Sequence, residues 1–395
     1  MNKQNTYLEY QGQTNQNPFL IDVDRADGIY IFDKEGKSYM DMIAGVAVNN
    51  IGHCHPKVKE AMKTQIDNYL HVMVYGEFIQ DSQLNFAVKL SSILPDSLNC
   101  VYTVNSGTEA NEAALKLVKR VTGRSELVSF RGSYHGSTHG SMSVSGNEVK
   151  KQSFRPLLPD VRFLQFNSIV DLQNITNKTA GVIIETVQGD AGVRIPDISF
   201  LKALRARCSE VGALLIFDEI QCGMGRTGKM FAFEHFEVVP DVLTLGKALG
   251  GGMPIGALVS SKKLLNEFTY NPMLGHITTF GGHPVICAAA HACIEVFEKE
   301  IDFLEVNRLG QLLEELIKTD PEIKEVRRIG QMFAFDMESF ERVERVVSRC
   351  LELGLISFWF LSHPYSFRLS PPLTISEKEI RKAAAIILQA INETR

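Results

Sequence analysis

The chain has 395 residues, 45% of them hydrophobic and 22% charged, with a formal net charge of -5, and that length suits one large domain with a smaller companion. The slight acidity removes any electrostatic reason to expect nucleic acid or an anionic membrane as partner, and seven scattered cysteines without a CxxC pair indicate neither a disulfide framework nor a zinc site. No apolar run approaches a membrane span and the polar N-terminus lacks an apolar signal region, so a cytoplasmic protein handling small molecules is expected.

In chain order, Gly28 to Met42 alternates around the turn Asp33-Lys-Glu-Gly36 and predicts a hairpin. His53-Cys54-His55 is no metal site, because adjacent side chains do not converge on one ion. A helix is expected over Val58–Tyr69, then a loop turning at Tyr75-Gly76. From about residue 85, helical patterns alternate with short apolar runs at 101–104, 127–130, 161–164, 181–184, 213–217, 242–245 and 256–259. Such alternation predicts an α/β fold: a mostly parallel seven-stranded sheet covered by helices on both faces, with ligands at the carboxyl ends of its strands. After a helix from Pro284 to about Glu300 the chain turns charge-rich, with helices expected at Leu309–Lys318, Arg342–Leu353 and Glu377–Asn392 and a strand at Gln331–Asp336. The expected division is 1–50, a segment and hairpin packing with the small domain; 51–300, the large domain; and 301–395, a small α+β domain.

Lys247 ends the apolar run Val242-Leu-Thr-Leu245 and precedes three glycines. A lysine on a buried strand end has little water around its amine, which lowers its pKa and aims it at one point, as a Schiff-base lysine requires. It is not a P-loop lysine, since Asp241 and Ala248 stand at two of that motif's required positions. Asp218 ends the previous strand, one βαβ step earlier, so the two side chains should be neighbours. Ser106 and Glu109 fit a capping box, while Gly107 lets an anion approach the helix start and Thr108 adds a hydroxyl, together a phosphate cradle. Gly223-Met-Gly-Arg-Thr-Gly228 is a literal GxGxxG, but no helix opens there and the acidic ribose partner is missing from its usual offset. A carboxylate, a lysine, a phosphate cradle and an aromatic plate, Tyr134, are what pyridoxal phosphate requires, with Gln221 placed to donate to its phenolate.

The runs Asn105-Ser-Gly-Thr-Glu-Ala-Asn-Glu112, Tyr134-His-Gly136, Phe217-Asp-Glu-Ile-Gln221, Leu245-Gly-Lys-Ala-Leu-Gly-Gly-Gly252 and Thr278-Thr-Phe-Gly-Gly-His-Pro284 resemble those of the class III, fold type I, pyridoxal-phosphate aminotransferases. Val48-Asn-Asn-Ile-Gly-His-Cys-His-Pro56 and Arg368-Leu-Ser-Pro-Pro-Leu373 are most similar to the acetylornithine and ornithine branch. The resemblance implies Lys247 as imine-forming residue and proton shuttle, Asp218 on the pyridine nitrogen, Gln221 on the phenolate side, Tyr134 over the ring and Ser106-Gly107-Thr108 at the phosphate, with His135 and Glu185 beside the cofactor. It implies a homodimer in which Thr279 reaches the phosphate of the neighbouring site. Arg368 would grip a substrate α-carboxylate in a bidentate pair, with Ser137, Asp190 and Tyr75 in the substrate pocket.

Three departures from the family pattern bear on substrate. Ser137 stands where members using 2-oxoglutarate commonly carry arginine, and losing a bidentate charge pair costs on the order of 2–5 kcal/mol. Asp190 replaces the glutamate that pairs with the carboxylate-binding arginine, leaving a shorter arm. His283 replaces an asparagine. The expected activity is ping-pong transfer of an amino group from an ω-amine donor of the ornithine or N-acylornithine kind to an oxo acid. An ω-amino acid:pyruvate aminotransferase is the alternative, then a same-fold aminomutase or decarboxylase.

Overall fold

The structure, a computed structural model, describes residues 3–395. The N-terminal part forms an antiparallel meander of β1 (Val23–Asp27), β2 (Tyr30–Asp33) and β3 (Ser38–Asp41), turning at Asp33–Gly36, where the Asp33 carboxylate accepts the Glu35 and Lys37 amides at 3.0 and 2.8 Å.

The central sheet contains β4 (Cys100–Val104), β5 (Glu126–Phe130), β6 (Val161–Leu164), β7 (Thr179–Glu185), β8 (Leu214–Asp218), β9 (Val242–Gly246) and β10 (Gly256–Ser260), in the order β4-β10-β9-β8-β7-β5-β6. All seven apolar runs are therefore strands of one sheet. β10 runs antiparallel to both its neighbours, whereas β9, β8, β7, β5 and β6 pair in parallel. Every residue of β7, β9 and β10 is buried, as expected of a sheet covered on both faces. In β8 the alternation is visible: Leu215 and Phe217 join the core on one face, Leu214 and Ile216 that on the other.

The C-terminal part contributes β11 (Glu325–Ile329), β12 (Met332–Asp336), β13 (Leu355–Ile356), β14 (Phe358–Trp359) and β15 (Ser366–Leu369). Of these, β13 pairs in parallel with β3, and the other four form a sheet in the order β11-β12-β15-β14. Ile29, Met40 and Met42 lie in the same buried cluster as Leu355, Phe367 and Ile380, so the N-terminal meander and the C-terminal part share a core.

The helix Pro284–Glu300 spans the expected residues, and Pro56–Asn68 starts two positions early because proline is well placed in a first turn. The helix expected from Leu309 begins at Phe303, where the Asp302 side chain accepts the Leu304 amide at 2.9 Å. No helix among the described residues is long and apolar enough to cross a membrane.

Strand register sets up the site. Glu185 is the pairing partner of Asp218, and Asp218 of Thr244, so three adjacent parallel strands present these residues side by side at their carboxyl ends. Lys247 follows β9 immediately, and the helix Gly107–Thr122 starts just beyond β4.

Candidate active site

Lys247 takes a left-handed backbone conformation, φ 45°, which costs a residue with a side chain on the order of 1 kcal/mol. Burial pushes its amine below the ordinary lysine value; the Asp218 carboxylate opposes that shift and the Arg368 guanidinium adds to it. The amine opens into a cavity of about 260 Å³ whose wall also contains Gly107, Thr108, Tyr134, Glu185, Asp218 and Gln221. His135, Gly136, Ser137, Val187, Ile220 and Cys222 complete it.

Asp218 is held from two sides. Its Oδ2 accepts from Asn111 Nδ2 and His135 Nδ1, each at 2.8 Å, and its Oδ1 accepts the Ile220 amide at 3.0 Å. Asn111 is itself fixed: Nδ2 also donates to His135 O at 2.7 Å, and Oδ1 accepts the Thr244 hydroxyl at 2.8 Å. A carboxylate so fully supplied with donors keeps its direction. Sequence reasoning missed Asn111 and Thr244 as site residues. One helical turn separates Asn111 from the anion-binding start, a signal that was available in the motif itself.

The helix Gly107–Thr122 is capped by Ser106, whose Oγ accepts the Glu109 amide at 3.4 Å. The Glu109 carboxylate reaches back to the Asn105 amide at 2.6 Å, one residue beyond the expected reciprocal bond to Ser106. Ser106 is thus a cap behind the cavity, while Gly107 and Thr108, whose amides have no acceptor within the helix, lie on its wall. A Cβ on Gly107 would stand 2.8 Å from Ile220, and one on Gly136 would stand 2.2 Å from Thr108 Oγ1, so both glycines make room for a close approach. Thr108 Oγ1 lies within 2.6 Å of Ser141 Oγ and 2.8 Å of Thr138 Oγ1, a hydroxyl cluster that Glu112 supports by accepting from Ser141 N at 3.0 Å and from Thr138.

Glu185 anchors the loop above the cavity: Oε1 accepts the Tyr134 amide at 2.8 Å and Oε2 the Gly189 amide at 3.0 Å. Burial pushes its carboxyl up to about 7; His135 opposes and Asp218 adds to the shift. In the unfolded chain the same group titrates near 4.5. Its contribution to folding is therefore full below about pH 4.5 and lost as pH rises through about 7. Glu185→Gln cannot ionise. In cofactor-free protein its melting temperature relative to the native chain should rise between about pH 5 and pH 8, on top of a pH-independent offset from placing an amide near the Gly189 N–H. Melts at several pH values check this; a difference that stays constant with pH refutes it.

A second cavity of about 780 Å³ continues from the first, sharing Tyr134, Gly136, Ser137, Gln221 and Lys247, and its wall includes Arg368, Asp190, Lys150 and the apolar Met142, Phe154, Phe358 and Leu361. Arg368 is buried on β15, its Nη2 without a hydrogen-bond partner. Asp190 does not take the position expected of it as partner to Arg368. Its Oδ2 accepts from Lys150 Nζ at 2.5 Å and Ser362 Oγ at 2.6 Å, and its Oδ1 accepts the Leu361 amide at 3.3 Å. Ser137 Oγ lies 3.1 Å from the Tyr134 hydroxyl.

Tyr75 and Thr279 line neither cavity of their own chain. Thr279 is exposed, and its carbonyl accepts from His71 Nε2 at 3.1 Å. His283 precedes the helix Pro284–Glu300, its ring 5.6 Å from that of His71 and likewise away from the cavity.

The residues fit pyridoxal phosphate: free amides and a hydroxyl cluster for a phosphate, a desolvated amine for the aldehyde carbon, a fixed carboxylate for the ring nitrogen, and Tyr134 and Val187 as walls. Fold and site together define a pyridoxal-phosphate enzyme built on the large α/β transferase sheet. Residues 11–391 match the family profile described as Aminotransferase class-III. The acetylornithine aminotransferase of Methanocaldococcus jannaschii is 41% identical over 367 residues, 89% of this chain and 89% of that one. That of Bacillus subtilis is 38% identical over 378 residues, 94% of this chain and 95% of the other. A solved ornithine aminotransferase from Toxoplasma gondii, with pyridoxal phosphate at partial occupancy, superposes with a TM-score of 0.92 at 28% identity, covering 99% of this chain and 93% of that one. The chain belongs to the class III aminotransferases, and it is an enzyme that uses pyridoxal phosphate.

Proposed function

We propose that the chain takes an ω-amine donor of the ornithine or N-acylornithine kind and passes its amino group to an oxo acid in two half-reactions. The observation that carries this reading is that Lys247 and the unpaired Arg368 share one cavity wall, so a substrate carboxylate held at one end presents an amine at the other. Two acetylornithine aminotransferases among the relatives support the donor class.

Bound pyridoxal phosphate supplies the electron sink that lets a carbon beside the amine lose a proton. Around it, Gly107 and Thr108 would hold the phosphate with their amides, and Asp218, fixed by Asn111 and His135, would direct its carboxylate to the ring nitrogen. Lys247 Nζ, whose pKa burial lowers, is the base placed to accept the substrate proton and return it one position along. Tyr134 and Val187, on the same cavity wall, would confine the ring. Arg368 fixes the carboxylate of each substrate in turn.

A small oxo acid such as pyruvate is the second reading for the acceptor, favoured by the absence of a guanidinium at Ser137 and by the apolar Met142, Phe154, Phe358 and Leu361 on the same cavity wall. Both readings are tested by following loss of the cofactor's visible absorbance against a panel of amines, then its return with pyruvate or 2-oxoglutarate. In that screen Arg368→Met should raise KM for carboxylate-bearing donors about 10- to 100-fold while leaving plain alkylamines near their native values. Equal losses for both classes refute the assignment of Arg368.

We further infer a homodimer. Leu70, Met73, Ile79, Met273, Leu274 and Phe280 are exposed apolar side chains on two segments that His71 and Thr279 tie together. A second copy covering this face would bring Thr279, and the adjacent Tyr75, to the neighbouring cavity. Sedimentation of the purified protein at the monomer mass counts against it.

A further inference from the structure

Arg368 and Asp190 line the same cavity, and Asp190 is the carboxylate whose charge acts on that guanidinium. A buried arginine with an orphaned Nη2 beside a buried aspartate would ordinarily close on it. It does not, because both oxygens of Asp190 are already taken. Oδ2 accepts from Lys150 Nζ at 2.5 Å and from Ser362 Oγ at 2.6 Å, and Oδ1 accepts the Leu361 amide at 3.3 Å. The two loops that supply these donors are tied together by Asn147 Nδ2, which donates to Ser362 Oγ at 2.9 Å. Lys150 is the only full charge among the donors. Its ammonium also lies 5.4 Å from the centre of the Tyr134 ring, which limits where it can go. The neighbouring Lys151 cannot substitute, since its amine is buried and donates to the Ser145 carbonyl at 2.7 Å.

We propose that Lys150 is a positioning residue that holds Asp190 away from Arg368 and so keeps the guanidinium open for a substrate carboxylate. Lysine and arginine compete for one aspartate, and the lysine wins because a serine hydroxyl and a backbone amide arrive on its side. Removing Lys150 leaves Asp190 with an uncompensated charge in a low-dielectric wall, and Arg368, on the same wall, is the cation its charge already acts on. The aspartate then occupies the place of the substrate carboxylate and competes with it. This inference rests on Arg368 being the carboxylate-binding group.

The test uses the pyridoxal-phosphate-loaded enzyme and valerate, a carboxylate without an amine, titrated calorimetrically, alongside steady-state kinetics with ornithine and with butylamine. Lys150→Met should weaken valerate binding and raise KM for ornithine about tenfold or more, with kcat for ornithine and kcat/KM for butylamine little changed. The double variant Lys150→Met with Asp190→Asn should recover valerate binding to within about threefold of native, because no anion is left to turn toward Arg368. A double variant as weak as the single one overturns the proposal, as does equal loss for ornithine and butylamine. Valerate binding that Arg368→Met leaves untouched overturns instead the assignment of Arg368 beneath it, and the two failures are thereby separate.

Discussion

Lys247→Ala is expected to lose transamination by about 10⁴-fold or more, the largest effect of any single substitution in this chain. Two functions disappear with one side chain. The amine that would hold the cofactor covalently is gone, and so is the base that moves the substrate proton, and the other two amines on the cavity wall are tied elsewhere. Lys151 is anchored to the Ser145 carbonyl and Lys150 to Asp190. The fold should survive, because the left-handed turn at Lys247 is set by the chain leaving β9 and is tolerated by alanine at a similar cost. The check has two parts: single-turnover transfer to pyruvate, and retention of cofactor on the denatured protein after borohydride reduction. The native chain should keep the label and the variant release it. A variant retaining more than about 1% of the native rate would refute the assignment of Lys247.

Asp218→Asn is the second large effect, a loss of about 10²- to 10³-fold in rate with cofactor still bound. The substitution keeps size and removes charge, so it isolates electrostatics. Asn111 Nδ2 and His135 Nδ1 both donate to the one oxygen. An amide nitrogen in that place would face two donors and lose both hydrogen bonds, whereas the flipped amide would face the Ile220 N–H and lose one. The Lys247 amine would change as well. Asp218 raises its pKa against the effect of burial, and without that charge the amine should titrate lower. The pH dependence of the donor half-reaction should therefore move its lysine limb to lower pH as the rate falls. A rate loss with no movement of that limb would show that Asp218 acts only at the cofactor.

The central sheet and the strand-end placement of Asp218 and Lys247 could be read from the residues because their determinants are local. A strand buried on both faces must be apolar throughout, as β7, β9 and β10 are, and a βαβ step has a narrow length, which makes successive strand ends neighbours. The helix start at Gly107 was legible for the same reason. The antiparallel course of β10 between β4 and β9 was not, since periodicity is blind to direction.

Contacts between side chains on distant loops escaped. Lys150 and Lys151 are adjacent in the chain, yet one amine closes on Asp190 and the other on the Ser145 carbonyl. Asp190 was expected to face Arg368 with a shorter arm. It turns instead to Ser362 and Leu361, which arrive from the C-terminal part of the chain. Only when those loops meet do three donors converge on one carboxylate, and no spacing along the chain encodes that meeting.

The sequence by itself determined the class of fold and the placement of Lys247, Asp218 and the Gly107 helix start, because strand burial, βαβ length and helix termini are set by residues near one another in the chain. Tertiary structure alone decided the state of Arg368, buried with an open Nη2 beside an aspartate already engaged by Lys150. The reason is physical: desolvation and competition among donors depend on which segments pack together, and a carboxylate has only so many lone pairs to share.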